Sequence, residues 1–307
     1  MSNDAARTGT LPAAWRRLPT PAPATAEVLA WCARRGVGPV QVVARSVAWL
    51  LSLQLAWSLL HPDRAALAQH GQAPLMDGHA YWAAWSQGLY SVPPGTLGAY
   101  LYSPAFAQLL WPLTLLPFGA FAVVWWGAIV SAFWWLLAPL PWGWRGPALV
   151  LTGFELEVGN INAFLGLVLV LGLRRPGAWC LVLLTKITPG VGLLWFVVRR
   201  EWRHLALALG ATAVVIALSA ALDPAAWSNY LTFLLHQGSH QHDGGLLNAS
   251  SLPLRLPLAA ALVLWGARTS RPWTLAVTVG LANPDLGFAT LTLMAAVPRL
   301  VVQGRRP

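Results

Sequence analysis

Charge is scarce in this sequence, and lysine is almost missing from it. Only 10% of the residues are charged, whereas about a quarter are charged in a typical soluble domain. Ten residues are acidic and twenty are basic, and Lys186 is the only lysine. With 57% hydrophobic residues, this composition excludes an ordinary soluble protein. The net charge of +10 is carried by arginines that flank apolar segments, which indicates a topological role rather than nucleic-acid binding.

Several kinds of chemistry also lack their usual residues. The two cysteines form no disulfide framework, and no Cys/His spacing typical of zinc is present. No glycine loop of the nucleotide-binding kinds occurs, so cytosolic nucleotide chemistry has no support. We therefore expect no bound cofactor and see no indication of a divalent metal. The first forty residues are polar and rich in Pro, Ala and Arg, which argues against a cleavable signal peptide.

Long apolar runs are what the sequence does contain. Residues 42–60, 120–138 and 204–222 are each long enough to cross a hydrocarbon core of about 30 Å. The fold class predicted from them is all-α, a polytopic membrane protein. Its expected location is the plasma membrane.

The distribution of arginines predicts the topology. Arginines precede the first span, so the N-terminus is expected in the cytoplasm. The loop near 61–103 carries one arginine, Arg64, and the loop near 223–251 carries none. Both loops are therefore expected on the outside. The side on which Arg145 lies is left open by this pattern. Further cytoplasmic turns are predicted at Arg174/Arg175, Arg199/Arg200/Arg203, Arg268/Arg271 and Arg299/Arg305/Arg306.

These assignments divide the chain into three parts. Residues 1–40 are predicted to form a cytoplasmic tail, 41–300 one membrane domain, and 301–307 a second cytoplasmic tail.

Two segments are too short for the arginines that flank them. Residues 177–198 and 273–298 have arginines at both ends, yet neither can cross the membrane twice. Each contains a proline near its middle, at Pro189 and Pro284, where helix is disfavoured. Each is either a half-depth hairpin whose tip lines a cavity or a single Pro-kinked helix. A third segment, 147–173, is interrupted between two apolar runs by polar residues.

Lys186 lies at the first of these breaks, in otherwise apolar surroundings. An ammonium at membrane depth is costly, which makes this lysine a functional-site candidate. Glu155 and Glu157 lie at the third break, and because residues two apart do not share a helix face, a metal pair is poorly supported. They serve either as hydrogen-bond acceptors and partners of Lys186 and nearby arginines or in a structural role.

Five short motifs follow one another over roughly residues 45–300. They are an external Asp77 followed by His79-Ala-Tyr-Trp82, then Tyr100-Leu-Tyr-Ser-Pro104, Gly159-Asn-Ile-Asn162, Thr185-Lys-Ile-Thr-Pro189, and Asn248-Ala-Ser-Ser-Leu252 with Arg255. In this order they resemble glycosyltransferase family 87. The second resembles the family's tyrosine–proline start to the next helix, and the last three are similar to its Gly-Gln-x-Asn, Lys-x-x-Pro and Asn-x-Ser-Leu…Arg elements.

The resemblance implies an integral-membrane transferase of the GT-C fold, a helical bundle of about 8–10 membrane segments that includes short broken hairpins. Such an enzyme moves a sugar, most often mannose, from a polyprenyl-phosphate donor to a glycolipid, glycan or protein acceptor on the outer face. Its partners are these substrates and membrane lipids, and no nucleic acid is expected.

The resemblance also implies roles for individual residues. Asp77 matches the catalytic carboxylate of the first external loop, which in an inverting transfer takes the proton of the attacking hydroxyl. Lys186 and Arg255 match positions expected to hold the donor phosphate, where negative charge grows. The other residues expected to bind substrate are Asn160, Asn162, Asn248, His79, Tyr81, Tyr90 and Tyr102.

The sequence departs from the family at two points. It is shorter than typical members, and Asn283-Pro-Asp285 stands near where a histidine-bearing motif is usual. A non-catalytic family member therefore stays an alternative. So does a transporter or lipid flippase, which would also use broken hairpins and a buried cation.

Overall fold

The computed structural model describes residues 38–60, 75–94, 96, 98–237, 252–284 and 286–305. Every regular element in these ranges is a helix, as the all-α prediction requires. The α-helices are, in chain order, α1 (Pro39–Leu60), α2 (Met76–Gln87), α3 (Pro104–Thr114), α4 (Phe118–Leu136), α5 (Trp142–Leu151), α6 (Gly153–Val158), α7 (Asn162–Leu171), α8 (Trp179–Thr185), α9 (Leu194–Val198), α10 (Trp202–Leu222), α11 (Pro224–Gln237), α12 (Leu252–Arg268), α13 (Thr274–Leu281), α14 (Phe288–Leu291) and α15 (Val297–Gly304). Segments of 3₁₀ helix lie at Pro176–Ala178, Thr188–Leu193 and Thr292–Ala296.

Helices α4 and α10 are long and apolar enough to cross a membrane by length and composition. They correspond to the runs predicted at 120–138 and 204–222. Only 17% of the most apolar window of α10 is buried within the protein, so most of this helix presents apolar side chains outward. A large exposed apolar surface suits lipid rather than water. The protein is an all-α membrane protein.

Contacts divide the chain into two units, Met1–Ala48 and Trp49–Pro307. Of the first unit the structure describes residues 38–48, the N-terminal half of α1. In the second unit, Ser52 Oγ on α1 donates a 3.1 Å hydrogen bond to the carbonyl oxygen of Pro147 on α5. The proposed limits of the membrane domain stay a prediction. Most of the predicted N-terminal tail lies outside the described residues, and residues 301–304 continue α15.

The segment 177–198 doubles back on itself. The rings of Trp179 and Phe196 lie 6.3 Å apart, and a Cβ atom on Gly190 would lie 2.6 Å from Leu183 Cδ2. Both pairs are placed nearly symmetrically about Lys186 in the sequence, as in an antiparallel hairpin. Lys186 is therefore at the tip, after the last residue of α8, with an extended backbone (φ −135°, ψ 104°).

The segment 273–298 is broken in the same way. Helix α13 ends at Leu281, ahead of Pro284, and packs against the 3₁₀ segment Thr292–Ala296 further along the chain. Met294 Cε lies 3.7 Å from where a Cβ of Gly280 would be. The third segment, 147–173, is interrupted between α6 and α7. All three predicted breaks are present in the structure.

One end of the bundle carries arginines. Arg145 donates to the carbonyl oxygen of Trp134 at 3.0 Å and Arg299 to that of Trp135 at 2.7 Å, both at the C-terminus of α4. Basic side chains are favoured there because the last carbonyls of a helix carry partial negative charge. Arg145, whose side the sequence left open, thus lies at the same end as Arg299.

Candidate active site

A sharp turn between α6 and α7 forms the centre of the polar region. Gly159 ends α6 with φ +74° and ψ 25°, a left-handed conformation that glycine adopts at little cost. A Cβ atom there would lie 2.5 Å from Leu75 Cδ1 and 3.1 Å from the backbone nitrogen of Gly78. The carbonyl of Gly159 accepts a 2.8 Å hydrogen bond from Trp125 Nε1. The turn is therefore held tightly against the start of α2 and the face of α4.

This turn brings Asn160 to Asp77. Asp77 lies in the first turn of α2, where a carboxylate is favoured by the helix dipole. Asn160 Nδ2 donates a hydrogen bond to Asp77 Oδ2, while Asn160 Oδ1 accepts one from the backbone N–H of Ile161 at 2.7 Å. The amide is thus oriented from both ends. In addition, the backbone N–H of Leu75 donates to the carbonyl of Glu157 at 2.5 Å, which fixes the start of α2 beside the turn.

Glu155 is fully buried and caps the N-terminus of α7. Its Oε1 accepts the backbone N–H of Asn162 at 2.7 Å, and its Oε2 accepts Asn162 Nδ2 and Thr292 Oγ1, each at 3.1 Å. The first N–H groups of a helix have no partner within the helix and carry partial positive charge. A buried carboxylate is tolerable here because these donors replace its hydration. This agrees with the hydrogen-bond-acceptor interpretation of Glu155 and gives it a structural role as well.

Lys186 is also buried, with 7% of its surface exposed. Its Nζ donates to Asn283 Oδ1 at 3.2 Å, and Asn283 Nδ2 contacts Asn162 Oδ1 at 3.4 Å. The lysine follows the C-terminus of α8, the end of a helix that favours a cation. A chain of polar contacts therefore runs from Lys186 through Asn283 and Asn162 to Glu155.

Arg255 holds the break after α13. Its guanidinium donates to the carbonyl oxygens of Leu281 at 3.2 Å, Asn283 at 2.9 Å and Pro284 at 3.1 Å. These carbonyls have no helical partner because Pro284 ends the helix. Arg255 thereby fixes the backbone of Asn283, whose side chain contacts Lys186.

The polar region lies where broken helices meet. The N-terminus of α7 and the C-terminal ends of α8 and α13 all reach it. Helix α7 has ten residues and is therefore about 15 Å long, half of a hydrocarbon core of about 30 Å. The arginines Arg174 and Arg175 lie just beyond its other end. The asparagine at the start of α7 is accordingly about 15 Å from the arginines beyond its end, a spacing compatible with the predicted hairpin tips.

The aromatic residues expected to bind sugar are more deeply buried than side chains that stack against a sugar on an accessible surface. Tyr81 and Tyr102 are buried, and Tyr81 Oη donates to Tyr102 Oη at 3.1 Å. The ring of Tyr81 also packs edge-on against Phe106 and Trp125, which anchors α2 to α3 and α4. Tyr90 Oη donates to the carbonyl of Tyr102 at 2.8 Å. Their part in substrate binding stays a prediction.

The remaining predicted residues are placed less centrally. His79 packs edge-on against Phe118, with 5.0 Å between ring centroids, and lies on α2 two residues after Asp77. Asn248 lies outside the described residues. The structure therefore brings together Asp77 with Asn160, and Lys186 with Asn162 and Arg255 through Asn283.

Sequence reasoning missed two members of this network. It treated Asn283 only as part of a helix break and a departure from a motif, and it did not single out Thr292. The available signal for Asn283 was an amide beside a proline within an apolar segment, since a polar group at such depth needs a partner. Thr292 gave no comparable signal.

Comparison with known proteins adds one match. The family model for glycosyltransferase family 87 matches residues 100–307, well over half of the chain. No curated protein and no solved structure matches it. The matched range includes Asn160, Asn162, Lys186, Arg255 and Asn283, whereas Asp77 and His79 precede it.

Proposed function

The chain belongs to glycosyltransferase family 87, and from this premise we propose that it transfers a sugar, mannose in the first instance, from a polyprenyl-phosphate donor to an acceptor on the outer face of the membrane. The transfer proceeds with inversion at the anomeric carbon. The acceptor is a glycolipid, a glycan or a protein. The protein crosses the plasma membrane several times, with its N-terminus and its arginine-rich end in the cytoplasm.

One observation carries this proposal. The three-residue stretch 160–162 contacts Asp77 through Asn160 and the Lys186 network through Asn162. An acidic group and a cation are thus linked across one turn, as a transfer from a phosphate ester requires: a base on the acceptor side and a cation on the leaving-group side.

In this mechanism Asp77 accepts the proton of the acceptor hydroxyl as that oxygen attacks the anomeric carbon. The bond from this carbon to the phosphate oxygen breaks, and the lipid phosphate leaves with the bonding electron pair. Lys186 stabilises the charge that grows on the phosphate. Because phosphate is a good leaving group, no separate general acid is needed, unlike in glycoside hydrolysis.

The other residues position these two. Asn160 holds the Asp77 carboxylate, and Arg255 acts through the backbone of Asn283, which in turn contacts Lys186. Asn160 Nδ2 has a second N–H suited to a sugar or phosphate oxygen. Asn162 donates to Glu155 and Ala289 and accepts from Asn283, so its role is to orient the Lys186 side of the site. In this proposal Lys186 lies at about half the depth of the membrane, which suits a donor whose phosphate lies near the bilayer and whose polyprenyl tail stays in lipid.

A transfer assay with the purified chain in liposomes tests the proposal. Labelled polyprenyl-phosphate-mannose, polyprenyl-phosphate-glucose and GDP-mannose are compared as donors, with membranes from a strain lacking the protein as the acceptor source. We expect label to move from a lipid-phosphate donor only, and the product anomer to be opposite to that of the donor. Transfer from GDP-mannose, or movement of intact lipid across the bilayer without sugar transfer, would overturn the proposal.

A further inference from the structure

The arginine-bearing end of the bundle contains a cavity beside the C-terminal end of α7, whereas the proposed active site lies at the N-terminal end of this helix. It has a volume of about 270 Å³ and is lined by Arg174, Arg175, Arg299 and Gln303, with Leu171 and Val302 among its apolar residues. Arg174 and Arg175 are exposed. Among the described residues, no acidic one lines this cavity. In the same part of the chain neither Arg174 nor Arg175 forms an ion pair, since the ion pairs found there involve Glu201.

The position of Arg299 is fixed before any ligand arrives. Its Nε donates to the carbonyl of Trp135, and its guanidinium carbon lies 3.7 Å from the centre of the Trp135 ring. Nearby, Arg145 is held in the same manner over Trp134, at 4.0 Å. Such cation–π contacts orient a guanidinium without neutralising its charge. The cavity is therefore lined by three arginines, of which Arg299 is held in a fixed orientation, and among the described residues no acidic side chain pairs with them.

An open groove of about 540 Å³ adjoins the cavity, and Arg174 and Arg175 line both. The groove runs along α10, where its floor consists of small and apolar residues, including Ala206, Leu207 and Gly210. A Cβ atom added to Gly210 would meet nothing within 4 Å. Because α10 is mostly unburied and apolar, the groove opens on the surface that faces lipid.

We propose that this end of the protein binds an anionic glycerophospholipid, with the headgroup phosphate on Arg174, Arg175 and Arg299 and an acyl chain in the groove along α10. Arginine suits this ligand because its planar guanidinium binds phosphate oxygens in pairs. Basic pockets between membrane helices on the cytoplasmic side are suited to anionic lipid headgroups. A free phosphate would use the cavity but gain nothing from the groove.

If these arginines only set the membrane topology, their charge at this end of the bundle would matter, but their exact positions would not. A charge-matched control separates that role from the proposed site. Arg174→Gln/Arg175→Gln removes two charges at the cavity, and Arg203→Gln/Arg268→Gln removes two from exposed arginines that line neither the cavity nor the groove.

Native mass spectrometry of the purified full chain, with phosphatidylglycerol or phosphatidylcholine added, measures the binding directly. We expect phosphatidylglycerol to bind more tightly, and Arg174→Gln/Arg175→Gln to weaken it roughly thirty-fold. Arg203→Gln/Arg268→Gln should change it less than about two-fold. Equal losses in the two double variants, or equal affinity for the two lipids, would overturn the proposal.

A second pair of variants distinguishes a lipid from a free anion. Gly210→Leu fills the groove, and Gly127→Leu is its control, because a Cβ on Gly127 of α4 also meets nothing within 4 Å. Gly210→Leu should weaken phosphatidylglycerol binding several-fold while Gly127→Leu leaves it unchanged. If inorganic phosphate or glycerol phosphate displaces the lipid at equal concentration, the site takes a free anion and the lipid proposal fails. Binding is the readout, so the result does not depend on transferase activity.

Discussion

The side-chain amide of Asn160 donates a hydrogen bond to the carboxylate of Asp77. This contact joins a helix that precedes the family match to a turn inside it. The oxygen of the same amide accepts a hydrogen bond from the backbone N–H of Ile161. The amide therefore cannot rotate without losing a hydrogen bond. Asp77 is thereby held at the turn from which Asn162 reaches the Lys186 network.

Asp77→Asn should reduce sugar transfer by roughly 10²–10⁴-fold, the usual contribution of a general base. An amide can still accept from Asn160, so expression and donor binding should change little. The measurement is transfer of label from a lipid-phosphate donor. Asp223→Asn is the control, because Asp223 caps the start of α11 through the backbone N–H of Ala226 and has no part in the proposed reaction. Near-normal turnover of Asp77→Asn would remove this residue as the base.

Lys186→Ala should weaken donor binding by roughly 10–100-fold, as expected for loss of a hydrogen bond from a charged donor to phosphate. Lys186→Arg keeps the charge and should retain part of the affinity. Asn283→Ala removes the amide that contacts the ammonium but leaves the ammonium in place, so its effect should be smaller. Equilibrium binding of polyprenyl-phosphate-mannose measures all three. If Lys186→Ala binds donor normally but unfolds at lower temperature, Lys186 is a structural residue.

Gly159→Ala should distort the turn that carries Asn160. The left-handed backbone costs a non-glycine residue about 1–2 kcal/mol, and the new Cβ would lie 2.5 Å from Leu75 Cδ1. We expect a lower melting temperature and a large loss of transfer. Gly127→Ala, in an open position of α4, should be neutral or slightly stabilising. A Gly159→Ala variant with unchanged stability and activity would show that the turn is more adaptable than its packing indicates.

The elements that could be predicted from sequence are those whose cause is local. Apolar length predicted α4 and α10, and prolines predicted the breaks near Lys186 and Asn283, because a missing N–H acts on the adjacent residues. Lys186 stood out for a similar reason, as a cation in an apolar run.

The contacts of the site could not be predicted because they join distant segments. Asn162 and Asn283 are 121 residues apart, and Glu155 and Thr292 are 137 apart. Nothing in one segment specifies its partner in another. Tyr81 and Tyr102 illustrate a second reason. The neighbouring sequence does not distinguish an aromatic residue at a membrane boundary from one in a buried cluster. Only the packing in the folded structure shows which of the two it is.

Glu155→Gln should lower the stability of the protein by about 1–3 kcal/mol, the cost of leaving buried polar groups poorly paired. The carboxylate accepts three hydrogen bonds, whereas a glutamine has one oxygen and would turn its NH₂ toward other donors. Glu157→Gln, two residues away and only half-buried, is the matched control. Thermal unfolding in detergent measures both. Equal shifts for the two variants would contradict a specific role for Glu155 at the start of α7.

Glu201 provides a pH-dependent test at the arginine-bearing end. Its burial raises the pKa of the carboxyl, but hydrogen bonds from Arg199 and His204 outweigh this and lower the pKa below its usual 4.5. A carboxyl with a lowered pKa in the folded state stabilises the protein above its unfolded pKa, and this stability is lost as the pH falls through the folded pKa.

Glu201→Gln should therefore be less stable than the native chain at neutral pH, and the difference should vanish in acid. The Arg199 Nε to Glu201 Oε1 distance is 2.7 Å, but both side chains are about a third exposed, so the expected difference is about 0.2–1 kcal/mol. Melting temperatures of the two proteins between about pH 7 and pH 3 measure it. A difference that persists unchanged at the acidic end cannot come from ionisation of this carboxylate, and it would assign the effect of the substitution to packing around Arg199 and His204.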